Sequence, residues 1–442
     1  MGRPTDWEYL VKQRWPRQTF QRNRLCAVTL TARDPGAVVV GGYINGLGLV
    51  RAFGARGIPV AVIVTKPFDM AHKSRWARAH EVIHGLEDSP ELLVELLQRR
   101  AADWRDWLVI PTNDEAMGSL AKHHDRLSST YRLACPEWES ARYFLDKAEM
   151  LDVAHAIGIP SPRCYGSAQE SMLDPELRFP VVVKPTCGYR FVARFGVKLF
   201  VANTREELAA AIERLTRADL SAQVYDLIPG DDSRIYAYCT YINTRDEQCG
   251  GLTIRKLRQG PPFFGSARVA EVVADQPILR EMTTEFLSRT GFRGIAAAEF
   301  KLDPRDGSFR FMEVNGRSVV YNSLLRKAGM DVADLTWADY MTGEPVRVRP
   351  NNWPGVWADL HADVLYSLLY RRHDPISVRR FLAPYRRPTI DAVWSASDPA
   401  PSIAQWIWSA RRGIGALRRG GGRKLLGNHT RVDEHRARHI KI

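Results

Sequence analysis

Apolar and polar positions along this chain fall into blocks that change character twice. Regular patterning starts at Ala37–Val40, a short uninterrupted apolar run of the kind that forms a buried strand. The glycine-rich stretch Gly41-Gly-Tyr-Ile-Asn-Gly-Leu-Gly48 then reads as a loop entering a helix over about 49–56, which Gly57 stops. A second apolar run over 58–64 completes a βαβ unit. A helix over 91–102 and a strand over 107–110 continue the alternation, and that strand ends in Pro111-Thr-Asn-Asp114. Such alternation predicts a parallel sheet wrapped by helices.

The pattern then shifts. A helix over 141–156 is closed by Gly158-Ile-Pro160-Ser-Pro162. Strand-like runs over 180–184 and 197–201 flank a loop over 186–196. Thr204-Arg-Glu-Glu207 is a capping-box pattern that opens a helix to about 215. From 221 to 330 the chain reads as short strands (223–228, 233–242, 251–257, 295–302, 308–314) with one helix over 276–290. Beyond 346 it is rich in Arg, Trp and Pro, with helical candidates at 361–372 and 403–412 and a glycine run at Gly420 that reads as flexible. The expected units are a basic arm 1–35, an α/β domain 36–140, two α+β parts 141–225 and 226–345, and a C-terminal extension 346–442.

Composition narrows the class. The 442 residues are 45% hydrophobic and 26% charged, which excludes a mainly disordered, collagenous or multi-span membrane chain. No uncharged apolar run approaches the roughly 18 residues of a membrane span, and the N-terminus lacks a signal-peptide core, so a cytoplasmic protein is expected. Six cysteines without CxxC or Cys/His metal spacing read as reduced thiols. The net charge is +13, but ten Lys/Arg against two acids after residue 400 place +8 of it in the tail. Nucleic-acid binding through the basic termini stays open as an alternative. No sequence-specific nucleic-acid contact is expected of the body.

Three clusters carry chemistry. Glu299, Glu313 and Asn315 lie on two strands joined by the turn Asp303-Pro-Arg-Asp-Gly307. Glu313 and Asn315, two apart, share a face. An all-oxygen set of this kind suits Mg²⁺ completed by phosphate oxygens, and Arg317 beyond it suits an anion; the alternative is a solvated hairpin. Lys184 ends the apolar strand Val181-Val-Val-Lys184, and Lys147 and Arg255-Lys256-Leu-Arg258 add cations. A strand lysine needs an anion; each of these is otherwise a surface residue. In Gln223-Val-Tyr225-Asp226-Leu227-Ile228-Pro-Gly-Asp-Asp232, the backbone could read a base edge and an acid a ribose, or the segment is an ordinary turn. The stretch GGYINGLG is not a clean GxGxxG, and Thr65-Lys66 stands where a ribose-binding acid would be, which disfavours nicotinamide or flavin.

The order of these pieces resembles the ATP-grasp superfamily, in its carboxylate–amine ligase branch related to the carbamoyl-phosphate synthase ATP-binding domain. The likeness spans about 37–345. It implies an ATP-grasp fold, α/β and α+β, with a preceding parallel α/β domain, a small lobe, a large lobe bearing the metal hairpin and a C-terminal extension. It implies ATP and Mg²⁺ (or Mn²⁺) as cofactors. Lys147, Lys184 and the loop containing Gly188 would meet phosphates, Tyr225, Asp226, Leu227 and Ile228 the adenine, Asp232 the ribose, and Glu299, Glu313 and Asn315 the metal. Arg317, with Arg255, Lys256 or Arg258, would be catalytic. Dipeptide-forming relatives often place an arginine two residues before the first metal acid, where this chain has Ala297. The implied reaction joins a small-molecule carboxylate to an amine through an acyl phosphate. Loops at strand ends bind ligands in open α/β sheets, which makes Asn45 and Asp114 substrate candidates. A Mg-ATP-binding scaffold without turnover is the alternative. The basic, partly amphipathic tail is a candidate for peripheral membrane or acidic-partner contact.

Overall fold

The computed structural model describes residues 35–186, 188–351, 353–370 and 376–418; the N-terminal arm over 1–34 and the glycine run at 420 lie outside them. The first sheet contains β1 (Ala37–Val40), β2 (Val60–Val64), β3 (Ala77–Val82), β4 (Leu108–Pro111) and β5 (Arg132–Leu133). All its strands are parallel, in the order β3-β2-β1-β4-β5. The chain reverses its lateral direction between β1 and β4, so a crevice opens at their carboxyl ends, where Gly41 and Asp114 lie.

Only the first three residues of the glycine-rich stretch after β1, Gly41 to Tyr43, form the expected loop. The helix begins at Ile44 and runs to Gly54. Its glycines serve close approach: a Cβ on Gly46 would stand 2.1 Å from the carbonyl oxygen of Gly41. The helix expected over 141–156 is two helices, Trp138–Leu145 and Lys147–Ala156. Asp146 leaves helical geometry between them, and its carboxylate accepts from the N–H groups of Ala148 and Glu149. That cap makes Lys147 the first residue of the second helix.

The small sheet contains β6 (Cys164–Ser167), β7 (Val181–Pro185), β8 (Phe200–Ala202) and β9 (Ala222–Asp226), antiparallel in the order β6-β9-β7-β8. The segment expected as a loop between β7 and β8 carries a helix, Gly188–Phe195. Its aromatic residues explain this, because Phe191 and Phe195 pack on each other and on Phe200 with ring centroids 4.9–5.1 Å apart. Thr204 caps the next helix, Arg205–Arg217, as its sequence signals.

The large sheet runs β10 (Ile235–Ile242), β11 (Gln248–Gly260), β12 (Ser266–Val273), β13 (Gly294–Leu302), β14 (Phe309–Asn315), β15 (Val356–Ala358) and β16 (Thr389–Asp391). The order is β14-β13-β10-β11-β12-β15-β16. The sheet therefore does not stop at 345, since two strands of the extension complete it. Apolar cores are continuous from the first sheet to the large one, Val38 with Phe300 and Val39 with Trp357, whereas the small sheet has a core of its own around Val183, Phe191 and Leu208. Among the described residues no helix is long and apolar enough to cross a membrane.

Buried charge fastens the extension. Asp363 is fully buried in the helix Leu360–Leu369 and accepts from Arg258 Nε at 2.9 Å and Nη2 at 2.6 Å and from Tyr385; Arg268 lies 3.4 Å away. Asp398 accepts from Arg51 Nε, Ser74 Oγ and the Arg75 N–H. Removing one partner of a buried pair leaves the other charge uncompensated. Asp363→Ala should thus lower stability by about 3–5 kcal/mol in urea unfolding; a loss below about 1 kcal/mol, the scale of exposed pairs, would contradict this anchoring.

Candidate active site

The site grows from the β13–β14 hairpin. Its register places Glu299 directly opposite Glu313, and Ala297 opposite Asn315. Like charges directly across a ladder destabilise it, so the pair depends on cations brought from elsewhere. Lys256 of β11 is buried and donates to Glu299 Oε2 at 2.6 Å. Lys147, half-exposed at its helix start, donates to Glu313 Oε2 at 3.0 Å. The Lys147 ammonium, helped by Lys184 and Lys256, holds the Glu313 carboxyl well below the usual carboxylate range; Glu313 in turn raises Lys147.

Two more lysines face this pair from the small sheet. Burial, with the Lys147 charge adding to it, pushes the Lys184 ammonium down to about 8. Its Nζ lies 5.8 Å from the centroid of the Tyr225 ring. Lys198, an exposed residue, is lowered mainly by partial loss of water around its ammonium, and feels Glu313, Lys147, Lys256 and Glu299. Sequence reasoning missed Lys198. The readable signal was strand pairing: the antiparallel register Val183↔Phe200 carries Lys198 beside the end of β7. Four lysines thus surround two carboxylates, an excess of positive charge that suits a polyanion carrying its own countercharge.

At the margin, Arg317 Nε meets Asp114 Oδ1 at 2.5 Å and its Nη2 meets Oδ2 at 3.3 Å. This bidentate pair ties the end of the hairpin to the helix after β4. The cap of that helix is Asn113, whose side chain accepts from the Ala116 N–H, so Asp114 is not needed as a cap.

Other expected residues lie elsewhere. A register irregularity between Lys256 and Arg258 parts two positions that plain alternation would put on one face, and Arg258 turns to Asp363. Arg255 pairs with Glu271. Asp232 is buried and accepts from the Gln259 N–H, Gln259 Nε2 and the Phe263 N–H, so its contacts fasten the 259–263 segment rather than leaving it open to a ribose. Asn45 is buried and donates to the carbonyls of Thr112 and Ser318, a strap between the first domain and the end of the hairpin rather than an open substrate group. Tyr225 donates to Gln223, and Asp226 accepts from Tyr165 at 2.6 Å. The N–H groups of Asp226 and Leu227 already bond the carbonyls of Arg163 and Pro180, and Leu227 and Ile228 are buried. Gly188 opens its helix just beyond Lys184.

The donor chemistry fits a hard divalent cation. Glu299, Glu313 and Asn315 offer only oxygen to a cation, and both carboxylates already face positive charge. Among the described residues, no group of three or more His, Cys, Asp or Glu side chains is placed to hold a metal. A metal here would therefore depend on the two carboxylates, the amide and oxygens from a bound ligand, the usual situation of Mg²⁺.

No protein-family model matches the sequence. The D-aspartate ligase of Enterococcus faecium (strain Aus0004) is 23% identical over 332 residues, covering 70% of this chain and 77% of that protein. Among solved structures, the L-amino acid ligase from Bacillus licheniformis aligns with a TM-score of 0.55 at 17% identity, over 72% of this chain and 78% of its own. The biotin carboxylase domain of the Hydrogenobacter thermophilus 2-oxoglutarate carboxylase, solved in complex with MgADP, ADP and bicarbonate, aligns with a TM-score of 0.55 at 17% identity, over 72% and 73% of the two chains. The chain has the ATP-grasp fold, as its motif order implies.

The depressed Lys184 gives a testable pH dependence. Its charged form is disfavoured in the fold. That penalty is fully present below about 8, where Lys184 is protonated in both folded and unfolded states, and is relieved as pH rises from there toward the ordinary lysine value near 10.5. A polyanion held by Lys184 needs the proton. Tripolyphosphate binding should therefore weaken as pH rises through about 8, with proton uptake, and this inflection should vanish in Lys184→Met. Calorimetry in two buffers of different ionisation enthalpy reads both. The same pH profile in both proteins would contradict the placement.

Proposed function

We propose that the chain is an ATP- and Mg²⁺-dependent ligase that joins a carboxylate to an amine through an acyl phosphate. The observation that carries this reading is the convergence of Lys147, Lys184, Lys198 and Lys256 on the Glu299–Glu313 pair from the two lobes. The D-aspartate ligase and L-amino acid ligase among its relatives support C–N bond formation, with an amino acid as one substrate. The MgADP complex of a structural neighbour supports the nucleotide and metal.

In this reading Lys147, Lys184 and Lys198 hold the phosphates, with the N-terminus of the helix Gly188–Phe195 beside them. Tyr225 to Ile228 would carry the adenine only through groups other than the Asp226 and Leu227 N–H, which are already bonded. Glu299, Glu313 and Asn315 hold the metal, Mg²⁺ or Mn²⁺, which supplies positive charge to the oxygens of the transferring phosphoryl group. Lys256 keeps the Glu299 carboxylate oriented toward it. Asp114 and Arg317 are already paired, as opposite charges that an amino acid's ammonium and carboxylate would replace.

The chemistry needs positioning more than an acid or base. A substrate carboxylate oxygen attacks the γ-phosphorus and ADP leaves. Once the ammonium has lost a proton to solvent, the amine nitrogen attacks the acyl carbon, the carbon–oxygen bond to phosphate breaks, and inorganic phosphate leaves with the amine's second proton. The lysines stabilise charge on the phosphoryl oxygens, and holding the reactants together lowers the entropic part of the barrier. The small sheet, with its own core, can close as a unit and keep water from the acyl phosphate.

Calorimetry with ATP, with and without Mg²⁺, tests this. The wild type should bind ATP more tightly with Mg²⁺, and nucleotide at about 100 times its Kd should stabilise the fold by about 2.7 kcal/mol. Glu313→Gln should lose the Mg²⁺ dependence. ADP should appear when a carboxylate and an amino acid are supplied together. Binding without ADP release across a broad acceptor panel would favour a nucleotide-binding scaffold, and no binding by folded protein would overturn the reading. Lys198→Met should weaken ATP binding roughly tenfold, as expected for loss of one charge-assisted contact; an unchanged Kd would remove Lys198 from the site.

A further inference from the structure

The extension contains two helices whose amphipathicity is inverted. In the helix Leu360–Leu369 the buried residue is Asp363, whereas Leu360, Val364, Leu365 and Leu368 are exposed, Leu368 by 65%. In the helix Ala400–Arg418, Ser402 and Gln405 are buried, while Ile403, Trp406 and Ile407 face outward, Trp406 by 57%. The outward positions follow helical spacing, and Ile414 and Leu417 continue that spacing in the sequence. The helices adjoin, with the His361 ring edge-on to Trp406 at 4.4 Å. The segment joined to the first of these helices by the Tyr385–Asp363 hydrogen bond exposes Val378 and Leu382. Neighbouring exposed apolar rows of this kind mark an interaction surface.

Charge identifies what covers it. Residues 360–418 hold nine arginines against four aspartates, and no lysine or glutamate. Two of those aspartates, Asp363 and Asp398, are consumed in buried ion pairs facing the protein, and two of the arginines, Arg380 and Arg387, pair with Asp231 and Glu271 of the body. Arg379, Arg386 and Arg411 are exposed alongside the apolar rows. Pairing with a second copy by two-fold symmetry would bring this positive rim against itself. An anionic bilayer has the complementary charge, and tryptophan with aliphatic residues beside arginine is the composition of helices that lie in a membrane interface. Among the described residues no helix is long and apolar enough to cross a membrane.

We infer that the face formed by helices Leu360–Leu369 and Ala400–Arg418 docks the protein on an anionic phospholipid surface. The apolar residues enter the headgroup boundary and the arginines meet phosphates. This inference does not depend on the ligase reading, since it uses none of the nucleotide-site residues.

The test is co-sedimentation of the full chain with vesicles of phosphatidylcholine alone or mixed with phosphatidylglycerol. The protein should pellet with the anionic vesicles at low salt, be released by high salt, and ignore the neutral ones. Trp406→Ser combined with Ile407→Ser, both exposed, should keep the melting temperature and weaken vesicle binding roughly tenfold or more. Absence of wild-type binding at low salt, or undiminished binding by the double variant, would overturn the inference. So would a solution dimer that the double variant dissociates without any vesicle binding, which would assign the face to a second copy.

Discussion

Two carboxylates facing each other across a β-ladder are the constraint on which the rest of this structure turns. Glu299 and Glu313 sit in register on the β13–β14 hairpin and would repel each other there. The chain meets this with lysines from three other places: Lys147 at a capped helix start, Lys256 on β11, and Lys184 of the small sheet with Lys198 just before β8. The cations exceed the anions, so the cluster is balanced only when a further anion joins. A polyphosphate with a divalent cation would meet both requirements at once, the metal on the carboxylates and the phosphates on the lysines.

The architecture holds these groups at different rigidity. The hairpin and Lys256 belong to the large sheet, which shares apolar cores with the first domain and is extended by β15 and β16. Asp363 and Asp398 bind the extension to that body through buried ion pairs. Lys184 and Lys198 belong to a lobe with a separate core. In the proposed reading, two of the three phosphate lysines, Lys184 and Lys198, would sit on the part best able to move, and Lys147 with the metal-holding acids on the part best able to stay.

Much of the site was legible from the chain, because its residues announce themselves by chemical incongruity: a lysine ending an apolar strand, acids alternating with phenylalanines on a hairpin. Lys147, Lys184, Lys256, Glu299, Glu313, Arg317 and Asp114 do converge. What failed was whatever depends on a neighbour not local in sequence. Arg258 looks like a site residue until a register irregularity and Asp363, 105 residues away, turn it aside. Asp232 and Asn45 look available but are claimed by backbone groups brought in from other elements. Lys198 has no local mark and needs the β7–β8 register. In the fold, the glycine-rich segment after β1 mimics a loop because its glycines admit close contacts that only the folded chain makes, and the aromatic helix Gly188–Phe195 is stabilised by Phe200 on the next strand.

The most direct test of this account is a crystal structure with Mg²⁺ and a non-hydrolysable ATP analogue. A metal on the Glu299 and Glu313 carboxylates is expected, with the Lys147–Glu313 contact broken and Lys147, Lys184 and Lys198 turned onto phosphate oxygens. Nucleotide bound elsewhere, with the Lys147–Glu313 and Lys256–Glu299 pairs intact and no metal on the hairpin, would contradict it.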